Sequence, residues 1–311
     1  MKKTAVLILV IILGIVIWKH DDLSQFIVQK IIFREEFENV EPNEYFKAED
    51  FLLFQNITDL NITNENDFNN LLYTVLNSGW DSFSFFCDFS YENCVNDFTN
   101  YIQNSEYVEA INNYVDPFNS FYSLYLTSNN FNKITIEIEK LYTTEQIISI
   151  NVVMDKFIEK YITSDMSDRE KVKVFHDWII NNTKYDENFN SNTNRQTYPL
   201  HPYNAYGPLV EGYAVCSGYS DAMAIFLNKV GIKNYKISNQ INNNTEGHVW
   251  NYALIDGKWY HIDLTWDDPI TNDKSDILIY DFFLVNTTQL EKIGTNQHHF
   301  NQNYYLETKS S

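Results

Sequence analysis

The sequence GYAVCSGYS, residues 212–220, leads into a predicted helix. Apolar residues recur behind it at helical spacing up to Val230, and Gly231 stands where a left-handed helix end is expected. Cys216 then lies at or near the helix N-terminus, where the macrodipole and the unpaired N–H groups favour a thiolate and can bind an oxyanion. Since a free cysteine is most often a small buried apolar residue, this stretch alone leaves both interpretations open.

Two predicted strands downstream carry groups that could activate this thiol. Residues 247–255 and 258–265 flank Asp256-Gly257, a dipeptide typical of a two-residue hairpin turn. That turn pairs position 248 with 265 and position 250 with 263, so His248 and Asp263 become diagonal neighbours on one face of the sheet. A carboxylate that orients an imidazole beside a thiol is the arrangement used for nucleophilic acyl transfer.

The same strands offer a second histidine. His261 shares a face with Asp263, so it could be the base instead, or His248, His261 and Asp263 could together bind a metal. A protein metal site usually has three or four ligands and a supporting shell, and the nearest further carboxylates, Asp267 and Asp268, fit turn residues better. We therefore predict no metal and no cofactor, while spacing alone leaves the choice between the two histidines open.

Several motifs together resemble the bacterial transglutaminase-like (transglutaminase/protease-like) superfamily. That family has a cysteine in V-C-x-G-Y, a histidine in G-H-x-W-N and an aspartate in W-Y-x-x-D-x-T-W. The chain has VCSGY at 215–219, GHVWN at 247–251 and WYHIDLTWD at 259–267, in the same order and after Tyr206-Gly207. The resemblance extends over roughly residues 165–268.

This resemblance implies a papain-like α+β fold, in which the cysteine's helix packs against an antiparallel sheet that bears the histidine and the aspartate. It identifies Cys216 as the nucleophile, His248 as the general base and acid, and Asp263 as the residue that orients His248, and it thereby favours His248 over His261. The family contains cross-linking acyltransferases, proteases or amidases, and members of undefined activity. Tyr185 and Tyr206 are candidate donors to an oxyanion.

The N-terminus has the features of a targeting segment. Lys2 and Lys3 precede an apolar run over residues 4–18, and the chain turns polar directly afterwards. No small-residue cleavage pattern precedes that change, so residues 1–21 are predicted to be an uncleaved signal-anchor with the rest of the chain extracytoplasmic. A cleaved signal peptide is the alternative, and it would leave the protein secreted from the same side of the membrane.

Residues 22–155 are predicted to form a small α+β module of unknown role, and residues 156–311 the transglutaminase-like domain. Within the module, periodicity predicts helices over 68–76 and 91–107 and a hairpin from strands 118–126 and 133–142. A helix is predicted over 144–161, and the next begins at the S-x-x-E capping box of Ser167 and Glu170. Cys87 and Cys94 could close a disulfide loop in an oxidising compartment or stay reduced.

Composition limits the partners. The chain has 42 acidic against 22 basic residues, a formal net charge of -20, which argues against nucleic acid as a partner because phosphate binding needs a cationic surface. The expected partners are a protein or peptide substrate and, through the N-terminal segment, the membrane. We expect an extracytoplasmic cysteine enzyme that acts on peptide amides by hydrolysis or by transfer to an amine. The alternative is a catalytically silent binding module at the cell surface.

Overall fold

A computed structural model describes residues 41–58, 62–87, 90–129, 132–187, 201–239, 247–270, 277–293 and 296–310. The predicted signal-anchor at 1–21 lies outside these ranges. Within them, every helix is too short or too polar to cross a bilayer. The described chain combines helices with β-sheets, so the mixed class of helices and strands predicted from the sequence is confirmed.

The N-terminal elements are three helices and a three-stranded antiparallel sheet. The helices are α1 (Asp67–Asn77), α2 (Cys94–Gln103) and α3 (Ser105–Tyr114), and the strands are β1 (Ser82–Phe86), β2 (Phe121–Ser128) and β3 (Lys133–Lys140). The sheet order is β1-β3-β2, so the predicted β2–β3 hairpin is confirmed. Cys87 and Cys94 form a disulfide that ties the end of β1 to the start of α2.

The single helix predicted over 91–107 is wrong, because the chain forms two helices there. Asn104 has a ψ of 85°, outside the helical region, and its side chain accepts a hydrogen bond from the Tyr107 N–H at 3.2 Å. Asparagine commonly caps helices in this way, since its side-chain oxygen satisfies an N–H of the first turn. The apolar periodicity runs through Asn104 and therefore conceals the break.

Two capped helices follow the hairpin. Helix α4 (Thr144–Tyr161) has the bounds that the sequence predicts, and α5 (Asp168–Asn182) begins at the predicted capping box of Ser167 and Glu170. In that box the Glu170 N–H donates to Ser167 Oγ and the Ser167 N–H donates to the Glu170 carboxylate, which satisfies two otherwise free donors.

The C-terminal half is built on a four-stranded antiparallel sheet of order β6-β7-β8-β9. Its strands are β6 (Asn234–Ser238), β7 (Val249–Ile255), β8 (Lys258–Ile262) and β9 (Phe283–Val285). Asp256 and Gly257 both have positive φ, 53° and 74°, as a two-residue type I′ turn requires. Ile255 pairs with Lys258 and Asn251 with Ile262, so the predicted register is confirmed.

The helix that carries the cysteine packs on this sheet. Helix α6 spans Cys216–Lys229, directly contacts β6 and β7, and is followed by Gly231 with a left-handed φ of 75°. Its buried residue Phe226 faces α5, where the rings of Phe226 and Phe175 stack 4.5 Å apart. The remaining elements are β4 (Lys184–Tyr185), β5 (Tyr213–Ala214), α7 (Leu264–Asp267), α8 (Thr287–Ile293) and short 3₁₀ or π turns.

The two faces of the four-stranded sheet belong to different apolar cores. Ala253 and Ile255 of β7 pack in a core with α4, α5 and α6. Trp250 and Tyr252 of the same strand pack in a second core with α1, α3 and the N-terminal sheet. Alternation along β7 therefore places the N-terminal elements on the sheet face opposite the cysteine's helix. The domain boundary at residues 155 and 156 stays a prediction.

Candidate active site

The position of Cys216 is set by the segment in front of α6. The short strand β5 pairs in parallel with β4, and the Val215 N–H donates to the Pro202 carbonyl at 3.0 Å. Gly218, in the first turn of α6, packs so closely on that carbonyl that a Cβ would clash with it. Cys216 is a free, partly exposed thiol at the first residue of the helix, as the sequence predicts.

His248 lies immediately before β7, and its backbone is fixed on both sides. The His248 N–H donates to Asn239 Oδ1 at 2.8 Å, and the Asn239 N–H donates to the His248 carbonyl at 3.0 Å. The imidazole is buried and stacks on the indole of Trp250 with ring centroids 5.7 Å apart. Rotation of this ring is therefore restricted by packing as well as by hydrogen bonds.

Asp263 is the N-cap of α7, and its carboxylate accepts four hydrogen bonds. Oδ1 accepts from the N–H groups of Thr265 at 3.0 Å and Trp266 at 3.2 Å. Oδ2 accepts from His248 Nε2 at 2.5 Å and from His298 Nε2 at 2.8 Å. Because this carboxylate is 1% exposed and both oxygens are engaged, its orientation is fixed.

These contacts favour an ion pair between His248 and Asp263. Burial acts to raise the pKa of Asp263, but the charge of His248 and the hydrogen bonds from His248 and His298 hold it well below its usual range. Burial acts to lower the pKa of His248, but the charge and hydrogen bond of Asp263 and the hydrogen bond with Cys216 raise it to about 10. Since Nε2 is held by Asp263, Nδ1 is the ring nitrogen left to face the thiol.

His261 has a different environment from His248. Trp250 Nε1 donates to His261 Nδ1 at 3.0 Å, so the proton of the ring is on Nε2, which donates to Thr287 Oγ1 at 3.1 Å. Burial lowers the pKa of His261 to about 3, and the ring stays neutral. His261 therefore joins β8 to α8 and the second core, and the structure brings His248 to Asp263.

The metal-ligand set of His248, His261 and Asp263, considered as an alternative from the sequence, is not the set that the structure brings together. Among the described residues, the ligand-type cluster at this place is His248, Asp263 and His298, with ligand atoms within 4.8 Å of one another. The two nitrogen–oxygen distances are 2.5 and 2.8 Å, which are hydrogen-bond lengths from two N–H donors to one oxygen.

One residue of the site was misinterpreted from the sequence, and another was missed. Asp267, predicted to be a turn residue, is buried and accepts hydrogen bonds from His176 Nε2 at 3.1 Å and the Phe282 N–H at 2.9 Å. His298 was missed because it lies in a 3₁₀ turn at 296–298, 35 residues from Asp263 and beyond the motif-bearing stretch. The adjacent pair His298-His299 was the available signal, and its spacing identifies no partner.

A buried polar network fixes α6 beneath the site. Lys236 Nζ of β6 forms an ion pair with Asp221 Oδ1 at 2.5 Å, and the Tyr142 hydroxyl donates to Asp221 Oδ2 at 2.5 Å. The same hydroxyl accepts from the Ala205 N–H at 2.8 Å. The network therefore joins the helix, the sheet and the segment that packs on the first turn of α6.

The candidate oxyanion donors lie near this segment. Tyr185 is in β4 and pairs with Ala214, two residues before Cys216. The ring of Tyr206 packs against His201 with centroids 4.7 Å apart. Their role as donors stays a prediction.

Residues 155–264 match the family model of the transglutaminase-like superfamily. Similar solved structures are a TGase (22% identity, TM-score 0.35, covering 50% of this chain and 46% of that one) and a candidate cysteine protease from Cytophaga hutchinsonii (14%, 0.28, 50% and 65%). A candidate protease from Parabacteroides distasonis is 11% identical, with a TM-score of 0.27 and coverage of 50% and 40%. The chain thus spans between 40% and 65% of these structures. No curated protein sequence matches it.

Proposed function

Because residues 155–264 carry a transglutaminase-like domain, we propose that this protein is a cysteine enzyme that acts on peptide or protein amides through a thioester. Cys216 is the nucleophile, His248 the general base and acid, and Asp263 the residue that orients His248. The observation that carries the proposal is the buried pair of His248 and Asp263, joined by a 2.5 Å contact between Nε2 and Oδ2, with the free thiol of Cys216 at the start of α6 close enough to His248 to influence its pKa.

Each step of the proposed reaction uses a group already in place. The thiolate attacks the amide carbon, a C–S bond forms, and the oxyanion is stabilised by N–H groups at the start of α6. His248 then protonates the leaving nitrogen, the C–N bond breaks, and a thioester remains on Cys216. Water or a primary amine, deprotonated by His248, attacks the thioester and releases Cys216.

The same proposal places the enzyme outside the cytoplasm, anchored by residues 1–21. The Cys87–Cys94 disulfide supports this location, because structural disulfides persist mainly in oxidising compartments. The disulfide also leaves Cys216 as the free thiol of a chain with three cysteines.

Alkylation of the full-length protein tests the proposal without knowledge of the substrate. Iodoacetamide labelling of Cys216 is followed from about pH 4 to about pH 9 in wild type and in His248→Ala, with exposed His299→Ala as the control. We expect half-maximal labelling of wild type well below the value of about 8.5 for a free thiol. We also expect the pH of half-maximal labelling to rise by at least about one unit in His248→Ala and to stay unchanged in His299→Ala. Ordinary thiol behaviour in wild type would contradict the proposal.

A glutamine-containing peptide and a fluorescent primary amine then distinguish the two fates of the thioester. Incorporation of the amine indicates cross-linking, whereas ammonia release or peptide cleavage without incorporation indicates hydrolysis. Cys216→Ala should abolish either activity. Activity that persists in Cys216→Ala would assign the chemistry to another group.

A further inference from the structure

His298 lies against the carboxylate of Asp263 in an aromatic environment. Its ring stacks on Phe282 with centroids 4.7 Å apart, meets the Trp250 ring edge-on at 5.0 Å and lies tilted against Trp266 at 5.5 Å. The side chain is buried, with 7% of the residue exposed. Its Nε2 is therefore held toward Asp263 Oδ2, the same oxygen that binds His248.

We propose that His298 is a positioning residue of this site, a second imidazole that holds the Asp263 carboxylate beside His248. Its effect on catalysis rests on the function proposed above, whereas its effect on Asp263 and His248 does not. His298 lies outside the stretch that matches the family model, residues 155–264, so the C-terminal segment contributes to the site.

The physical reason is the number of donors on one buried oxygen. A carboxylate in an apolar site stays ionised only if N–H groups compensate for the lost water. Asp263 Oδ2 has two such donors, and without His298 it would have one. Loss of the second donor leaves His248 as the one side chain that holds Oδ2, so the carboxylate is less firmly oriented and its ion pair with the protonated His248 weakens.

Two substitutions separate this role from simple packing. His298→Phe fills the aromatic environment but carries no donor, whereas His298→Gln has a side-chain N–H at a reach similar to Nε2. The neighbouring residue His299 is exposed, so His299→Phe and His299→Gln are matched controls. All variants are made in the full-length chain.

The first readout is NMR of ¹⁵N-histidine-labelled protein, which needs no activity. In wild type we expect the Nε2–H groups of both His248 and His298 to be hydrogen-bonded donors. In His298→Phe we expect the pKa of His248 to fall by about one unit. In His298→Gln we expect most of that decrease to be restored. An unchanged His248 titration in His298→Phe overturns the proposal. If that variant does not fold, an unprotonated His298 Nε2 in wild type overturns it.

The second readout is the acidic limb of Cys216 alkylation. We expect the pH of half-maximal labelling on this low-pH side to rise by about one unit in His298→Phe. It should recover in His298→Gln and stay unchanged in both His299 variants. Ordinary alkylation of wild-type Cys216 would contradict the proposed enzyme function alone, since the NMR result still decides the role of His298. A shift of equal size in His298→Phe and His298→Gln would indicate packing and would contradict the positioning role.

Discussion

At the scale of single residues, the charge of Asp263 determines the protonation of His248. Burial alone lowers the pKa of His248, and the contacts with Asp263 and Cys216 raise it to about 10. In Asp263→Asn the shape of the side chain is kept and its charge is lost, so we expect this pKa to fall by more than one unit. NMR titration of the His248 ring measures the change, and titration of His261, already neutral by burial, provides the internal control.

The prediction for Asp263→Asn has one direction, a fall in the pKa of His248. If the titration of His248 did not move in Asp263→Asn, the ring would be protonated for a reason other than the ion pair. A rise would mean that the asparagine places a better acceptor on Nε2 than the carboxylate does. Neither outcome fits the 2.5 Å contact between His248 Nε2 and Asp263 Oδ2.

The sequence contained part of this site. The hairpin register placed His248 and Asp263 together, because a two-residue turn fixes which positions face each other. Spacing left His261 open, since its partners, Trp250 and Thr287, come from a neighbouring strand and a helix. His298 reaches Asp263 only through the path of the chain after β9, and local periodicity contains no information on that path.

At the scale of secondary-structure elements, the β7–β8 turn can be tested directly. Gly257 has a φ of 74°, and a Cβ built on it meets nothing within 4 Å, so substitution is unfavourable for backbone reasons alone. We expect Gly257→Val to lower the free energy of unfolding by about 1–2 kcal/mol. Gly257→Asn should cost less, because asparagine tolerates the left-handed conformation. Urea unfolding measures both, and equal costs for Val and Asn would contradict this explanation.

Elements with strong local signals were predicted well. Helix α4 and the start of α5 follow from capping boxes and apolar spacing, which act within one turn. The break at Asn104 was missed because the apolar pattern continues through it. The break shows only in the structure, where the Asn104 side chain caps the next helix by accepting from the Tyr107 N–H. Local patterns therefore located the helices more reliably than their interruptions.

At the scale of the whole molecule, the sheet of the active site is supported by the N-terminal segment. Phe51 packs edge-on against Tyr114 and Tyr235 with centroids 4.8 and 5.5 Å apart. Lys47 Nζ donates to the carbonyl of Asn234 in β6 at 3.1 Å. The contact between Lys47 and Asn234 joins residues 187 positions apart in the chain, so a sequence without structural context could not show that the module and the sheet share a core.

Lys47, which joins the N-terminal segment to β6, makes the stability of the protein depend on pH. Burial lowers its pKa from 10.5 to about 8, although the charge of Asp116 opposes the shift. Between those two values the unfolded chain binds one proton more at this residue than the folded protein. The contribution of Lys47 to stability therefore rises with pH across that window, and the cost of the buried charge is fully present below about pH 8.

Replacement of Lys47 by methionine, which keeps the length of the side chain, should remove this dependence. We expect the difference in unfolding free energy between wild type and Lys47→Met to change by roughly 3 kcal/mol in favour of wild type between about pH 8 and about pH 10.5. Urea unfolding at both pH values measures it, with exposed Lys258→Met as the control. His248, whose folded pKa is raised, contributes the opposite slope from about 6.5 to about 10 in both proteins and cancels in the difference. Parallel profiles for wild type and Lys47→Met would mean that Lys47 reaches water and that the segment does not seal this side of the sheet.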